Sequence, residues 1–214
     1  MKIPFTIEQF FDIFVIYNNA IWPAQIVAYI LGIVAIGFAF SKNQYSARTI
    51  SGIVSLFWIW IGVFYHIVFF RTINPAAIIF GFLYIIQGFL FLLAGSIRDR
   101  LSIQFKYTIP HILGAFFIFY AMVLYPILCL SFEHSYPEAP MFGVAPCPTT
   151  IFTFGILLWT IKKVPAYLLV IPFLWSIVGI SAAINLRVPQ DYGLVVAGFL
   201  GTILILIQNR IQSR

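Results

Sequence analysis

Seven long apolar runs, separated by charges, prolines or polar clusters, constrain the fold of this 214-residue chain more than any other feature. A helix needs about 20 apolar residues to cross the ~30 Å hydrocarbon core of a bilayer, and most of the runs reach that length. A spanning segment must be helical, because a lone strand in lipid leaves its backbone hydrogen bonds unmade. We therefore predict an all-α fold, a polytopic transmembrane helix bundle of about seven spans. The runs cover approximately residues 21–40, 49–70, 75–97, 109–132, 141–161, 165–186 and 192–208.

The composition agrees with this prediction and excludes a soluble domain. Charged residues make up 8% of the chain, against about 25% in soluble globular domains. The formal net charge of +6 is spread singly or in pairs between the apolar runs. This spacing indicates topology signals, so the predicted partner is the lipid bilayer and not nucleic acid.

The Lys and Arg residues divide unequally between the two sides of such a bundle. One side carries Lys42, Arg48, Arg98, Arg100, Lys106, Lys162, Lys163, Arg210 and Arg214. The other side carries only Lys2, Arg71 and Arg187. Because basic residues collect on the cytoplasmic side, we predict an outer N-terminus and a cytoplasmic C-terminus. The two outer arginines beside spans are expected to pair with the acids Glu133, Glu138 or Asp191.

Residues 1–20 precede the first run and are predicted to form an amphipathic interfacial helix outside a single transmembrane domain of residues 21–214. Thr6 and Gln9 have the spacing of a capping box. Apolar residues recur at helical spacing over residues 7–15, and the charged ones fall on the opposite face. A helix of this kind lies in the plane of the membrane interface.

Three of the runs carry small and polar residues at helical spacing, which indicates faces packed against other helices rather than lipid. The sets are Ser51, Ser55, Gly62 and His66 in the second run, His111, Gly114, Ala121, Tyr125 and Cys129 in the fourth, and Gly193, Ala197 and Gly201 in the seventh.

The fifth run begins with residues that interrupt a helix. Pro146 and Pro148 prevent a regular helix over the first third of residues 141–161, and Pro146 pushes Ala145 toward an extended conformation. We predict an irregular segment followed by a helix that starts near Pro148, with Cys147 as its cap residue. Irregular backbone at membrane depth is tolerated only where it is buried in protein or lines a wet cavity, so this broken start is the candidate site.

The predicted topology brings further polar side chains to this level. The candidate binding residues are Cys147, Pro146, Pro148, Thr149, Thr150, His66, His134, Glu133, Cys129 and Gln87. His66 lies within a span, where an ionisable residue indicates function by default, although a histidine hydrogen-bonded between helices is the alternative. Gln87 is expected more often to bond a neighbouring helix than a ligand.

The two cysteines allow two readings. A cysteine at a helix N-terminus gains thiolate character, and together with His, Met or Glu it suits a soft metal ion such as Cu(I), or zinc. The spacing matches no metal motif, and no cofactor is indicated. Alternatively, Cys129 and Cys147 form a disulfide on the oxidising side of the membrane.

Three classes of function follow from these features. The leading hypothesis is binding or transport of a small solute or ion at the outer site, with a wet cavity reaching Cys147. The second is a membrane enzyme that uses His66, His134, Glu133 or Cys147, although no G-x-S-x-G, H-E-x-x-H or Walker motif is present and no catalytic residue is assigned. The third is an accessory or assembly subunit, in a homo-oligomer or a larger membrane complex, in which Pro-Cys-Pro only stiffens a corner.

Two stretches carry a resemblance to a known family. They are YPEAPMFGVAPCPTTIFTFGILL (Tyr136 to Leu158), with its F-G-x-x-P-C-P-T-T core, and IPFLWSIVGISAAINLRVPQDYGL (Ile171 to Leu194). The sequence resembles a family of bacterial multi-pass inner-membrane proteins known only as a domain of unknown function. The resemblance extends over most of the chain and implies a bacterial plasma-membrane protein, but it implies no activity and no site residues.

Overall fold

The computed structural model describes residues 4–41, 43–132 and 134–212. The helices of these residues are α1 (Ile7–Ala20), α2 (Ala24–Phe40), α3 (Ser46–Thr72), α4 (Ala77–Ile97), α5 (Ile109–Ser131), α6 (Pro146–Leu158), α7 (Tyr167–Asn185) and α8 (Tyr192–Ile211). A 3-10 turn, Pro189–Asp191, leads into α8. The described residues contain no β-strand, only an isolated bridge between Ile103 and Thr160. The predicted all-α fold is confirmed.

Five of these helices, α3, α4, α5, α7 and α8 with its leading turn, are long and apolar enough to cross a membrane. Helices α1 and α2 meet at a bend of 84° and would add a sixth span if they are counted as one broken span. The fifth apolar run differs most from its prediction, because its helix α6 has 13 residues. At 1.5 Å per residue α6 is about 20 Å long, shorter than the ~30 Å hydrocarbon core of a bilayer.

Hydrogen bonds between the connecting segments define two ends of the bundle. At one end the Gln104 amide donates to the carbonyl of Trp159 (2.9 Å); we call it the Trp159 end. At the other, which contains Asp191, the Tyr17 hydroxyl donates to the carbonyl of Val144 (2.8 Å); we call it the Asp191 end. From α2 to α8, successive helices run in alternating directions between these two ends.

The basic residues follow this division. At the Trp159 end the structure describes Arg48, Arg98, Arg100, Lys106, Lys162, Lys163 and Arg210, and at the Asp191 end Arg71 and Arg187. The remaining three basic residues of the predicted charge count, Lys2, Lys42 and Arg214, lie outside the described residues.

Helix α6 lies at the centre of the bundle, in contact with α3, α5, α7 and α8. Every residue of α6 except Cys147 is buried. Trp58 of α3 donates a hydrogen bond through its indole N–H to Thr153 of α6 (3.0 Å). The fifth run is apolar because other helices surround it on all sides, which also explains how so short a helix can be accommodated.

The small residues of the predicted packing faces lie at close helix contacts, as expected. A Cβ atom on Gly114 would lie 2.7 Å from the carbonyl oxygen of Gly155, so α5 and α6 approach backbone to backbone. A Cβ atom on Gly62 would lie 2.7 Å from the carbonyl oxygen of Gly81, so α3 and α4 also approach each other backbone to backbone. Gly201 of α8 faces the ring of Phe154 in α6. These contacts confirm that the small and polar faces pack against other helices.

Helix α1 carries the predicted capping box, with Thr6 and Gln9 bonding each other's backbone N–H groups. Its apolar face packs onto the Asp191 end of the bundle, and Phe10, Phe14 and Tyr17 are buried there. The division into an interfacial helix (residues 1–20) and a transmembrane domain (residues 21–214) stays a prediction, because the packing of α1 on the bundle does not by itself show which of the two lies in the membrane.

Candidate functional site

The start of α6 is irregular, as predicted, but the helix begins earlier than expected. Ala145 is the cap residue, with the extended conformation φ −114°, ψ 147° that a following proline favours. Pro146 takes the first helical position, where a backbone N–H is not needed, so Cys147 lies inside the first turn. The prediction that the helix starts near Pro148 with Cys147 as cap is wrong by two residues.

The chain enters this helix through a tight turn. Gly143 has φ +78°, a left-handed conformation that glycine adopts without strain, and a Cβ atom there would lie 2.6 Å from Ala28. The Thr149 hydroxyl donates to the carbonyl of Ala145 (2.7 Å) and accepts from the amide of Gly143 (3.0 Å). Thr149, a candidate binding residue, therefore has a structural role, because its two hydrogen bonds hold the turn against the start of α6.

A buried polar cluster lies at this end of α6, and we call its five residues, Asp191, Tyr125, Cys147, Gln190 and Cys129, the Asp191 cluster. The Tyr125 hydroxyl donates to the Asp191 carboxylate at 2.6 Å. The Cys147 thiol interacts with the same carboxylate. The Gln190 amide donates to the sulfur of Cys129 at 3.3 Å. Asp191 is 1% exposed, so the Tyr125 hydroxyl and the Cys147 thiol take the place of water at its carboxylate.

Three elements bring the cluster together. Tyr125 and Cys129 are four residues apart on α5 and therefore share one helical face. Gln190 and Asp191 belong to the 3-10 turn before α8, which is held by a hydrogen bond from the Tyr120 hydroxyl to the carbonyl of Gln190 (2.8 Å). Cys147 comes from the first turn of α6.

The Asp191 carboxylate has no cationic partner within the part of the chain that the structure describes. Neither Arg71 nor Arg187 pairs with Glu138 or Asp191, because Glu138 contacts His134 and Asp191 bonds Tyr125. Glu133, the third acid of the predicted pairs, lies outside the described residues. An ionised carboxylate without a cation is costly in a low-dielectric interior. Its neighbours compensate only through hydrogen-bond donors.

His66 lies one aromatic layer away, on the π-helical part of α3 (Ile61–Phe69). Its ring centroid is 4.8 Å from that of Tyr84 and 5.2 Å from that of Trp175. Neither ring nitrogen has a hydrogen-bond partner among the described residues. No described residue therefore holds His66 between helices by a hydrogen bond, as the structural alternative had predicted. The Trp175 indole lies near the sulfur of Cys147 without a well-aligned hydrogen bond, and it connects the surroundings of His66 with the Asp191 cluster.

Gln87, another candidate, has a structural partner. Pro172 lies inside α7 and has no N–H to donate to the carbonyl of Leu168, four residues earlier. The Gln87 side chain of α4 donates to that carbonyl instead, at 3.0 Å. The expectation that Gln87 bonds a neighbouring helix is confirmed.

The remaining candidates do not converge on one site. The Thr150 hydroxyl donates to the carbonyl of Pro146 (2.8 Å) and lies 3.3 Å from the Tyr84 hydroxyl. His134 stacks on Phe11 of α1 at 3.6 Å between ring centroids, with its Nδ1 atom 3.2 Å from a Glu138 carboxylate oxygen. Pro148 is buried in α6, and Glu133 lies outside the described residues.

The two cysteines are free thiols, so the disulfide alternative is not realised in the structure. Among the described residues, no three His, Cys, Asp or Glu side chains are grouped so that they could hold a metal ion. The structure therefore supports neither the soft-metal nor the zinc hypothesis.

Two cavities bear on the transport and enzyme hypotheses. One of about 380 Å³ lies at the Trp159 end, between Ser41, Asp99 and Lys162. A fissure of about 50 Å³ lies between α4 and α7, against Tyr84 and Trp175. Neither of them reaches Cys147, and neither is lined by the His134–Glu138 pair.

A family model described as a family of unknown function (DUF6064) matches residues 7–214, which include every helix from α1 to α8. The chain belongs to this family. The resemblance to a domain of unknown function is thereby confirmed, and the Asp191 cluster lies within the matched residues. Comparisons with curated proteins and with solved structures find no match.

Asp191, Tyr125 and Gln190 were not among the candidate binding residues. The available signal was the acid in R-V-P-Q-D, directly before the last apolar run, because a charge at the start of a candidate span has to find partners inside the bundle. Tyr125 was predicted only as part of a packing face.

Proposed function

We propose that this DUF6064 family member is a multi-pass membrane protein that binds and moves a small ion, and that the ion is a proton held at the Asp191 cluster. The observation that carries the proposal is a carboxylate that is 1% exposed, that interacts with the Tyr125 hydroxyl and the Cys147 thiol, and that has no cationic partner among the described residues. Ionisable residues inside membrane bundles are costly and typically mark ion pathways and proton relays.

The chemistry of the cluster favours a proton over a metal ion. The Tyr125 hydroxyl donates to the Asp191 carboxylate, the Cys147 thiol also interacts with it, and both groups are donors. A metal ion needs several oxygen, nitrogen or sulfur acceptors around it. A proton needs only the carboxylate, and its binding removes the buried charge.

Neither of the two cavities described above is lined by Cys147, which is also compatible with a proton. Protons move along chains of ionisable and hydroxyl side chains, whereas a solute needs an opening of its own size. Cys147 is the one residue of α6 that is not fully buried, and we propose that protons reach the enclosed Asp191 carboxylate beside its thiol. His66, with both ring nitrogens unpaired among the described residues, is another ionisable side chain buried in this region.

The charge distribution supports the orientation. Seven of the described basic residues lie at the Trp159 end and two at the Asp191 end, and by the positive-inside rule this imbalance supports a cytoplasmic Trp159 end. In the proposed orientation, helix α1 and the Asp191 cluster lie toward the outer face. The membrane is the bacterial plasma membrane that the sequence resemblance implies.

The proposal is tested with the purified full-length protein in liposomes that enclose a pH-sensitive dye. A potassium diffusion potential set with valinomycin drives protons inward, and the initial rate of acidification is measured. We expect the protein to acidify the liposomes and Asp191→Asn to lower the rate to that of empty liposomes, because an amide cannot accept and release the proton.

Asp12→Asn is the matched control, since Asp12 is an exposed carboxylate of α1. Both variants must elute as the same monodisperse species as the parent protein and show the same helical content. A proton flux that persists in Asp191→Asn, or an unchanged protein that behaves like empty liposomes, overturns the proposal.

A further inference from the structure

The larger of the two cavities described above lies at the Trp159 end, far from the Asp191 cluster, and it has no part in the proposed proton site. Its volume is about 380 Å³, within the range of about 300–1,000 Å³ that small-molecule sites occupy. The cavity is open on one side, and three connecting segments line it: the loop between α2 and α3, the segment after α4, and the residues that follow α6.

The lining of this cavity is mostly polar. The hydroxyl groups of Ser41 and Ser46 are 2.8 Å apart and hydrogen-bonded to each other. The side chains of Gln44, Ser102 and Gln104 also line it. Hydroxyl and amide groups of this kind donate hydrogen bonds to phosphate oxygens.

Positive charge predominates around the cavity. Lys162 lines it directly. The acid in the lining, Asp99, is 3.7 Å from the guanidinium of Arg48 and is flanked in the chain by Arg98 and Arg100. Arg48 therefore balances the negative charge of Asp99, which leaves the charge of Lys162 to favour an anion in the cavity.

The position of the cavity is equally informative. It lies where α2 ends, α3 begins and α4 ends, the level at which lipid headgroups meet a membrane protein. Basic pockets at the cytoplasmic ends of membrane helices bind anionic headgroups.

We propose that this cavity binds a phosphate group, carried by the headgroup of an anionic phospholipid or by a free phosphate compound. Lys162 supplies the charge, and the hydroxyl and amide side chains bond the phosphate oxygens. The inference depends on the cavity and its charges and is independent of the proton site.

The test compares binding of phosphatidylglycerol and phosphatidylcholine to the full-length protein in detergent, by native mass spectrometry. Variant Lys162→Gln removes the cation of the cavity, and Lys106→Gln is the control, because Lys106 belongs to the same end but does not line the cavity. We expect Lys162→Gln to weaken phosphatidylglycerol binding about five-fold, as the loss of about 1 kcal/mol per basic side chain implies, and Lys106→Gln to leave it nearly unchanged.

A second variant gives a change in the opposite direction. Asp99 has φ +52°, a conformation that asparagine tolerates better than most residues, so Asp99→Asn removes the charge without backbone strain. We expect Asp99→Asn to strengthen phosphatidylglycerol binding.

Inorganic phosphate is the second arm of the experiment. If it displaces phosphatidylglycerol, a free phosphate compound suffices as the ligand; if it does not, the ligand is the lipid headgroup. Equal binding of the two lipids, or equal effects of Lys162→Gln and Lys106→Gln, would overturn the phosphate site.

Discussion

Asp191 and Gln87 illustrate the two ways in which polar side chains are used inside this bundle. Gln87 completes a helix that a proline interrupts, and its partner is a backbone carbonyl. The partners of Asp191 are side chains from two other helices, and although Asp191 is the cap residue of α8, its carboxylate makes no capping hydrogen bond. The first arrangement is explained by structure alone, and the second is the basis of our proposal.

The Gln87 hydrogen bond is testable by a double-mutant cycle with Pro172. We expect Gln87→Met to lower the free energy of unfolding by about 1–3 kcal/mol, because the carbonyl of Leu168 is left buried and unpaired. Replacing Pro172 with alanine restores a backbone N–H at the same place. In the double variant Gln87→Met/Pro172→Ala the loss is therefore expected to be smaller, and the cycle is measured by SDS-induced unfolding in mixed micelles.

Additive effects of the two substitutions would contradict this assignment, because independent residues show no coupling energy. Pro126 offers a parallel case in α5. It cannot donate to the carbonyl of Met122, and the Tyr29 hydroxyl donates there instead, at 3.1 Å.

At the scale of elements, α6 organises the bundle although it is its shortest apolar helix. It is enclosed by four other helices, and its Gly155 packs backbone to backbone against Gly114 of α5. Its first turn carries Cys147 to the Asp191 cluster. The position of α6 against α5 and α8 thus determines the geometry of the proposed proton site.

We expect Gly155→Ala to destabilise the protein by about 1–3 kcal/mol, the usual cost of overpacking a close contact. A Cβ atom at Gly155 would lie 2.6 Å from Ile118 and 2.7 Å from the carbonyl oxygen of Gly114. Gly37→Ala in α2 is the control, since a Cβ atom there meets nothing within 4 Å. Thermal unfolding in detergent followed by tryptophan fluorescence compares the two variants, and equal midpoints would contradict the close packing of α5 and α6.

At the scale of the molecule, the two ends differ in charge, in cavities and in the residues that we propose are functional. The Asp191 end holds the buried carboxylate, and the Trp159 end holds the polar cavity and most of the basic side chains. In the proposed orientation, the Asp191 cluster and the polar cavity lie on opposite sides of the membrane.

This orientation predicts the accessibility of single cysteines introduced into a Cys129→Ser/Cys147→Ser background. Glu138→Cys is expected to react with a membrane-impermeant maleimide added to intact cells. Lys163→Cys is expected to react only after the membrane has been opened. The reverse pattern would show that the Asp191 end faces the cytoplasm.

The sequence by itself determined the elements of this protein. Helical periodicity, the capping box at Thr6 and the two prolines around Cys147 act within a few residues, so the helices, their small-residue faces and the late start of α6 were predictable. Only the tertiary structure decided that α6 is a short helix enclosed by the others, because apolar residues facing protein and apolar residues facing lipid have the same composition. It alone also joined Tyr125 to Asp191 across a separation of 66 residues. This contact depends on how α5 packs against the turn before α8, and no short sequence pattern predicts the packing of two elements that are so far apart in the chain.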